Sequence, residues 1–456
     1  MSSPATRDHP IPVEILANIC NSLSISRKEG LVGNTPNTSA LAATQALHAV
    51  TLTSRRLYCI AQPLLYETVV LDKPDSHQKL FRALRINPTL SLCVRTIIFF
   101  EPIANHPPRD IDGRIYSLAH ATEEERMAKD GEKLWKAVTK YDRDTAARYD
   151  TGAAETRDAV IDFVLLLTRL PNLKMLRYIG LERESMFRQI LQTVAKILET
   201  PEVADISSRI VPAVQEMSVS GLATEVWAPL VLDELENRDL RRLELSFPMI
   251  HGTVMRRFQM SNFAFHCIKD LRISSLVFTP LDLSLVIPNM QCLEVFYYEW
   301  GPSLKKTKEN EFKHLISAVE SQKENIKELH ISINERAWAA LTPTLQPTEA
   351  IPPWSFTAFP RLRVLEVPDI ILFDVPFVLR ARIPPNIETL VIMAWFEKKE
   401  LAKMLADLAL GAARVPTLKR VVVQDKVTEL PLLWGLVQEA KEIFQEKGVL
   451  FEHSWA

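Results

Sequence analysis

Apolar residues recur along most of the chain in one short template, apolar-x-x-apolar-x-apolar. It occurs at Val94/Ile97/Phe99, Val214/Met217/Val219, Leu240/Leu243/Leu245, Ile268/Leu271/Ile273 and Met290/Leu293/Val295. It continues at Ile326/Leu329/Ile331, Leu362/Leu365/Val367, Ile387/Leu390/Ile392 and Leu418/Val421/Val423, with Leu173-Lys174-Met175-Leu176 as a partial copy. Each match predicts a short strand with one buried face. Between strands the period changes. Phe312/Leu315/Ile316/Val319, Leu401/Met404/Leu405/Leu408 and Leu433/Leu436/Val437/Ala440 follow the i, i+3, i+4, i+7 spacing of an amphipathic helix. Strand alternating with helix favours parallel pairing, each unit burying its apolar face on its neighbours. The expected class is α/β. Its core should hold one middle residue per unit, including Leu243, Leu271, Leu329, Leu365 and Leu390. From Met217 on, the middle residues are 22 to 36 positions apart.

Residues 9–71 carry a different pattern. Pro12 suits the first turn of a helix, where its missing N–H is not needed. Ile15, Leu16, Ile19 and Leu23 then form one apolar stripe. Residues 24–40 read as a polar loop. A second helical pattern runs through Leu41, Leu47, Val50, Leu52, Leu57, Ile60 and Ala61, with Pro63 ending it. So small a module buries too little surface to be robust alone. Two later stretches break the strand–helix rhythm. Residues 101–158 are polar, with Glu125/Lys129 and Glu132/Lys136 able to pair on an exposed helix. Thr342 to Pro360 is proline-rich around Trp354, either a flexible excursion or a binding loop.

Two segments resemble a known family. Ile11-Pro12-Val13-Glu14-Ile15-Leu16-Ala17-Asn18-Ile19 looks like the opening of an F-box. Leu52-Thr53-Ser54-Arg55-Arg56-Leu57, followed by Ala61-Gln62-Pro63-Leu64-Leu65-Tyr66, looks like its second half. Ile11 replaces the usual first Leu, and the polar stretch from Ser24 to Ser39 is longer than the usual loop. The strand template is that of leucine-rich repeats, here irregular and without the usual Asn after the strand. The resemblance implies a small helical F-box head over 9–71. A first repeat-like strand with a charged insertion follows at 72–168, and a leucine-rich-repeat-like solenoid at 169–456.

By that resemblance the chain is a non-catalytic substrate-recognition subunit of a cullin–RING (SCF-type) ubiquitin ligase. Its head would dock on a Skp-family adaptor, itself bound to a cullin scaffold, through Pro12, Ile15, Leu16, Ile19, Leu47 and Leu52. Its solenoid would hold a protein substrate. The alternative is an interaction scaffold with no role in ubiquitylation.

Composition narrows the chemistry. Of 456 residues, 54 are Lys or Arg and 56 Asp or Glu, so a net charge of −2 gives no global attraction to nucleic acid or anionic membranes. The expectation is no nucleic-acid and no membrane partner. Phosphate-cradling glycine loops, H-E-x-x-H, paired Cys/His spacings and G-x-S-x-G are all missing from the sequence, so neither an enzyme, a metal site nor a cofactor is expected. The five cysteines are odd in number and widely spaced, and the first residues show no basic-then-apolar leader. Both point to an intracellular protein, cytoplasmic or nuclear, with reduced thiols.

Side chains alternate along a strand, so residues flanking the template positions should share the opposite, concave face. Those positions include Arg242, Arg272, Phe296, Tyr298, His330, Glu366, Met393 and Trp395, with Glu244, Asp270, Glu328, Val364 and Val391 among their neighbours. The aromatics among charges resemble interface anchors. The competing expectation is that the loop around Trp354, or the 101–158 insertion, covers them as additional core.

Overall fold

The computed structural model describes residues 13–30, 38–71, 76–100, 133, 166, 169–180, 215–221, 240–247, 267–275, 280–300, 308–333, 354–372, 383–394, 408–409, 415–425 and 434–455. The expectations for Pro12, Trp395, residues 342–353 and the pairs at 125/129 and 132/136 lie outside the described residues. So do Val214, Leu401, Met404, Leu405 and Leu433. The chain divides into two compact units, Met1–Asn237 and Arg238–Ala456.

The first unit opens with three helices, α1 (Val13–Gly30), α2 (Thr38–Thr53) and α3 (Arg55–Glu67). Cys20, Leu47 and Ala61 form their shared core, with Leu23, Val50, Ile60, Leu64 and Leu65 packed around it. Three details differ from the sequence reading. The stretch expected as a loop from residue 24 is helical to Gly30. The second helical pattern is two helices, because Ser54 is extended and its Oγ accepts from the Leu57 N–H at 3.2 Å, capping α3. Pro63 does not end a helix: it lies inside α3, which continues to Glu67.

The chain passes directly from α3 into β1 (Thr68–Leu71), then α4 (Ser76–Ile86) and a 3₁₀ turn at Pro88–Leu92. β2 (Thr96–Phe100), β3 (Met175–Gly180) and β4 (Glu216–Gly221) follow. β1 to β4 pair in sequence order, all parallel. The partial copy at Leu173–Leu176 thus enters a true strand.

The second unit repeats this plan. Its strands are β5 (Arg242–Phe247), β6 (Asp270–Ser275), β7 (Val295–Trp300), β8 (Glu328–Ile333) and β9 (Val364–Pro368). β10 (Thr389–Ala394), β11 (Arg420–Asp425) and β12 (Leu450–Trp455) complete it. Each pairs in parallel with the next. Helices return the chain between them: α5 (Pro280–Val286), α6 (Lys308–Glu320), a helical turn α7 (Asp369–Leu372) and α8 (Trp434–Glu446). Each unit is therefore mixed α/β, with its strands added one after another in chain order.

Register fixes the core. Leu243, Leu271, Phe296, Leu329, Leu365, Leu390, Val421 and Phe451 stand side by side, and all are buried. The five leucines expected there are among them. β12 also belongs to the row, although no template match marked it. Leu315 and Val319 of α6, with Ala440 and Phe444 of α8, are buried as the helical spacing requires.

The proline-rich segment enters this core too. Trp354, Phe356 and Phe359 are fully buried, with ring centroids 4.7 Å apart for the first pair and 6.2 Å for the second. Where described, this stretch is core, neither excursion nor binding loop. The loops before strands carry a second ladder. Asn172 donates to the Leu92 carbonyl at 2.8 Å, Asn325 to Gln291 at 3.1 Å and Asn386 to Pro360 at 2.7 Å. Each asparagine side chain thus ties its loop to the loop of the preceding strand.

Candidate functional site

The residues expected to make contacts fall on two surfaces. On the head, Ile15 and Ile19 lie one helical turn apart on α1 and are half exposed, at 50% and 51%. Leu52, at the end of α2, is 73% exposed, and Tyr58 in α3 is exposed as well. Leu16 is partly buried. Leu47 is not available: it is wholly buried in the three-helix core against Cys20 and Ala61. Its place at the interior of α2, facing both neighbouring helices, makes it core. Large apolar side chains this exposed on so small a module are costly to leave in water, about 1.5–3 kcal/mol each for full exposure against burial.

The second surface is the face of β5–β9 opposite the core. Glu244, Arg272, Tyr297, His330 and Glu366 stand in one register row across it. Arg242, Asp270 and Glu328 belong to the row before. Arg272 Nε donates to Asp270 Oδ1 at 3.0 Å, and Arg242 sits 3.6 Å from both Asp270 and Glu244. Burial works against the Arg272 charge. The hydrogen bond and charge of Asp270, with Glu244 and Glu328 behind it, outweigh that and hold its pKa above the ordinary value.

At β7–β9 the chemistry changes. The His330 Nδ1 lies 2.7 Å from Glu366 Oε2, while Nε2 lies 3.6 Å from Glu328. The imidazole thus sits between two carboxylates, one on its own strand and one on the next. Its ring is 6.2 Å from that of Tyr297, whose hydroxyl lies 3.4 Å from Ser332 Oγ. The Tyr297 phenol is pushed above its ordinary pKa by burial, with Glu299 and Glu366 adding negative potential.

Arg242, Arg272, His330 and Glu366 therefore do share this face, as the alternation of side chains required. Phe296 and Tyr298 do not. Both are buried on the core face, stacked with centroids 6.3 Å apart, because Phe296 pairs with Leu271 and Tyr298 with Ile273. In β7 the template begins at Leu293, not Met290. Met393 is on the expected face, two residues beyond Val391, the partner of Glu366, but is 2% exposed, and Val391 and Val422 are also buried. The row of Glu366 is thus covered at β10 and β11 and opens again at Glu452 of β12. Tyr297 is the residue that the sequence reading missed; its signal was Glu299 two positions on, which marks the polar side of the same strand.

Nothing in either surface resembles a metal centre: among the described residues, no group of three or more His, Cys, Asp or Glu could hold an ion. Among them, too, no helix is long and apolar enough to cross a membrane. No protein-family model matches the chain, and no curated protein is significantly similar to it.

Proposed function

We propose that this chain is the non-catalytic substrate-recognition subunit of a cullin–RING (SCF-type) ubiquitin ligase. The three-helix head is read as an F-box that docks on a Skp-family adaptor, itself bound to a cullin scaffold. The strand–helix array is read as an irregular leucine-rich-repeat solenoid that holds a protein substrate. One observation supports this above others: Ile15, Ile19 and Leu52 are exposed on a head whose own core is complete without them. Such side chains are what a second protein would cover.

In this reading the chain carries out no bond chemistry. It raises the local concentration of a substrate lysine near a charged ubiquitin, so its contribution is proximity. The test is a capture experiment comparing the full chain with one lacking residues 1–71. Adaptor and cullin should vanish on deletion while other partners stay. Retention of ligase components by the shortened chain would refute the assignment. A scaffold without a ligase role would capture partners but show no turnover of them that depends on the head.

A further inference from the structure

We propose that the open face of β7–β9 docks a basic segment of its protein partner, seating an arginine or lysine beside Tyr297 against the exposed carboxylate of Glu328. The inference deepens the substrate-holding role given above and rests on it for the partner's biological meaning, but not for its chemistry.

Charge is the first argument. Among the described residues of this face, β5–β9 carry the carboxylates Glu244, Asp270, Glu299, Glu328 and Glu366 against two guanidiniums, Arg242 and Arg272. The whole chain has a net charge of only −2, so the surplus is local. It is also divided. Both arginines lie on β5 and β6, within 3.6 Å of Asp270. The carboxylates of β8 and β9 have His330 between them. Even a charged imidazole balances one carboxylate of that pair, leaving the other in excess. The Glu328 side chain is 44% exposed, so it can be reached.

The aromatic ring is the second argument. Tyr297 stands in the same row as His330 and Glu366, half-buried and held by its neighbours. A ring face beside carboxylates is the chemistry that recognises a guanidinium or ammonium, through cation–π attraction and charge-assisted hydrogen bonds. Lateral room is the third. Three strands about 4.8 Å apart span roughly 10 Å, the length of about three extended residues. Val391, the β10 partner of Glu366, is buried with Met393, so the segment would lie across β7–β9, away from the two arginines.

The experiment is an anisotropy titration of the full chain with two labelled decapeptides, one of alternating arginine and serine, the other of alternating glutamate and serine. The basic peptide should bind at least about tenfold more tightly, and more weakly as salt rises. Glu328→Gln with Glu366→Gln, nearly isosteric, should weaken it about tenfold, as should Tyr297→Ala. Glu388→Gln, on the strand-entry edge, should leave binding unchanged. Equal affinity for the two peptides, no binding of either, an unaffected double variant, or equal weakening by Glu388→Gln would each overturn the proposal. Adaptor capture by the head is read separately in the same preparation. Its failure with peptide preference intact would count against the ligase reading alone.

Discussion

Two adjacent tyrosines in β7 show how strongly one position of register matters. Tyr298 is wedged in the core; Tyr297 is on the opposite face with Ser332 and His330. Tyr298→Ala should therefore cost about 3–5 kcal/mol through the cavity it leaves. Tyr297→Phe loses one hydroxyl contact and should cost about 1 kcal/mol or less. Urea denaturation of the two variants checks both values, and equal losses would contradict the register. The template Met290-x-x-Leu293-x-Val295 and the true one, Leu293-x-x-Phe296-x-Tyr298, overlap in sequence, and both are apolar throughout. Period alone could not choose between them. The alternation Phe296, Tyr298, Trp300 against Val295, Tyr297, Glu299 could, because a charge two positions from an apolar residue shares its face. Leu47 was illegible for another reason: a helix stripe shows which residues are apolar, but not whether a neighbouring helix or a separate protein covers them.

Between elements, most strands were legible, although β12 matched no template and β7 was read three residues early, and the loops were not. Leu243, Leu271, Leu329, Leu365 and Leu390 are core because two-residue alternation forces one face of each strand inward. The asparagine ladder was hidden, since it precedes the strand instead of following it. Asn386→Ala should remove the bond to Pro360 and lower stability by about 1 kcal/mol, read as a shift in denaturation midpoint. The strand entries add a charge ladder. Glu294 lies between Lys269 and Lys327, at 3.6 and 2.7 Å, and Glu388 between Arg363 and Lys419. The hydrogen bond from Lys327 holds the Glu294 carboxyl below its usual pKa. A depressed carboxylate stabilises the fold above its unfolded pKa, about 4.3, and that contribution fades as pH falls through the folded value. The stability gap between the protein and Glu294→Gln should be a few tenths of a kcal/mol at neutral pH, given its exposure, and close in acid. A gap that widened in acid would reverse the sign. At the end of α8, Gly448 has φ +72°, and a Cβ there would meet nothing within 4 Å. Gly448→Ala should thus cost only the backbone strain, about 1 kcal/mol, without any packing loss.

At the scale of the whole molecule, each unit combines exposed helices or strand faces with an ordered parallel array, and neither has a described cluster fit for metal chemistry. In the proposed function the head is a docking module. That role is tested most directly by titration of the purified chain with a purified Skp-family adaptor, followed by light scattering for the mass of the complex. Wild-type chain should bind, and Ile15→Asp with Ile19→Asp should abolish binding while keeping the same melting temperature, since both residues are half exposed in the free chain. Leu450→Asp, equally exposed but in the second unit, should bind as the wild type does. A double variant that still binds the adaptor in folded form, or a wild-type chain that never does, would contradict the account.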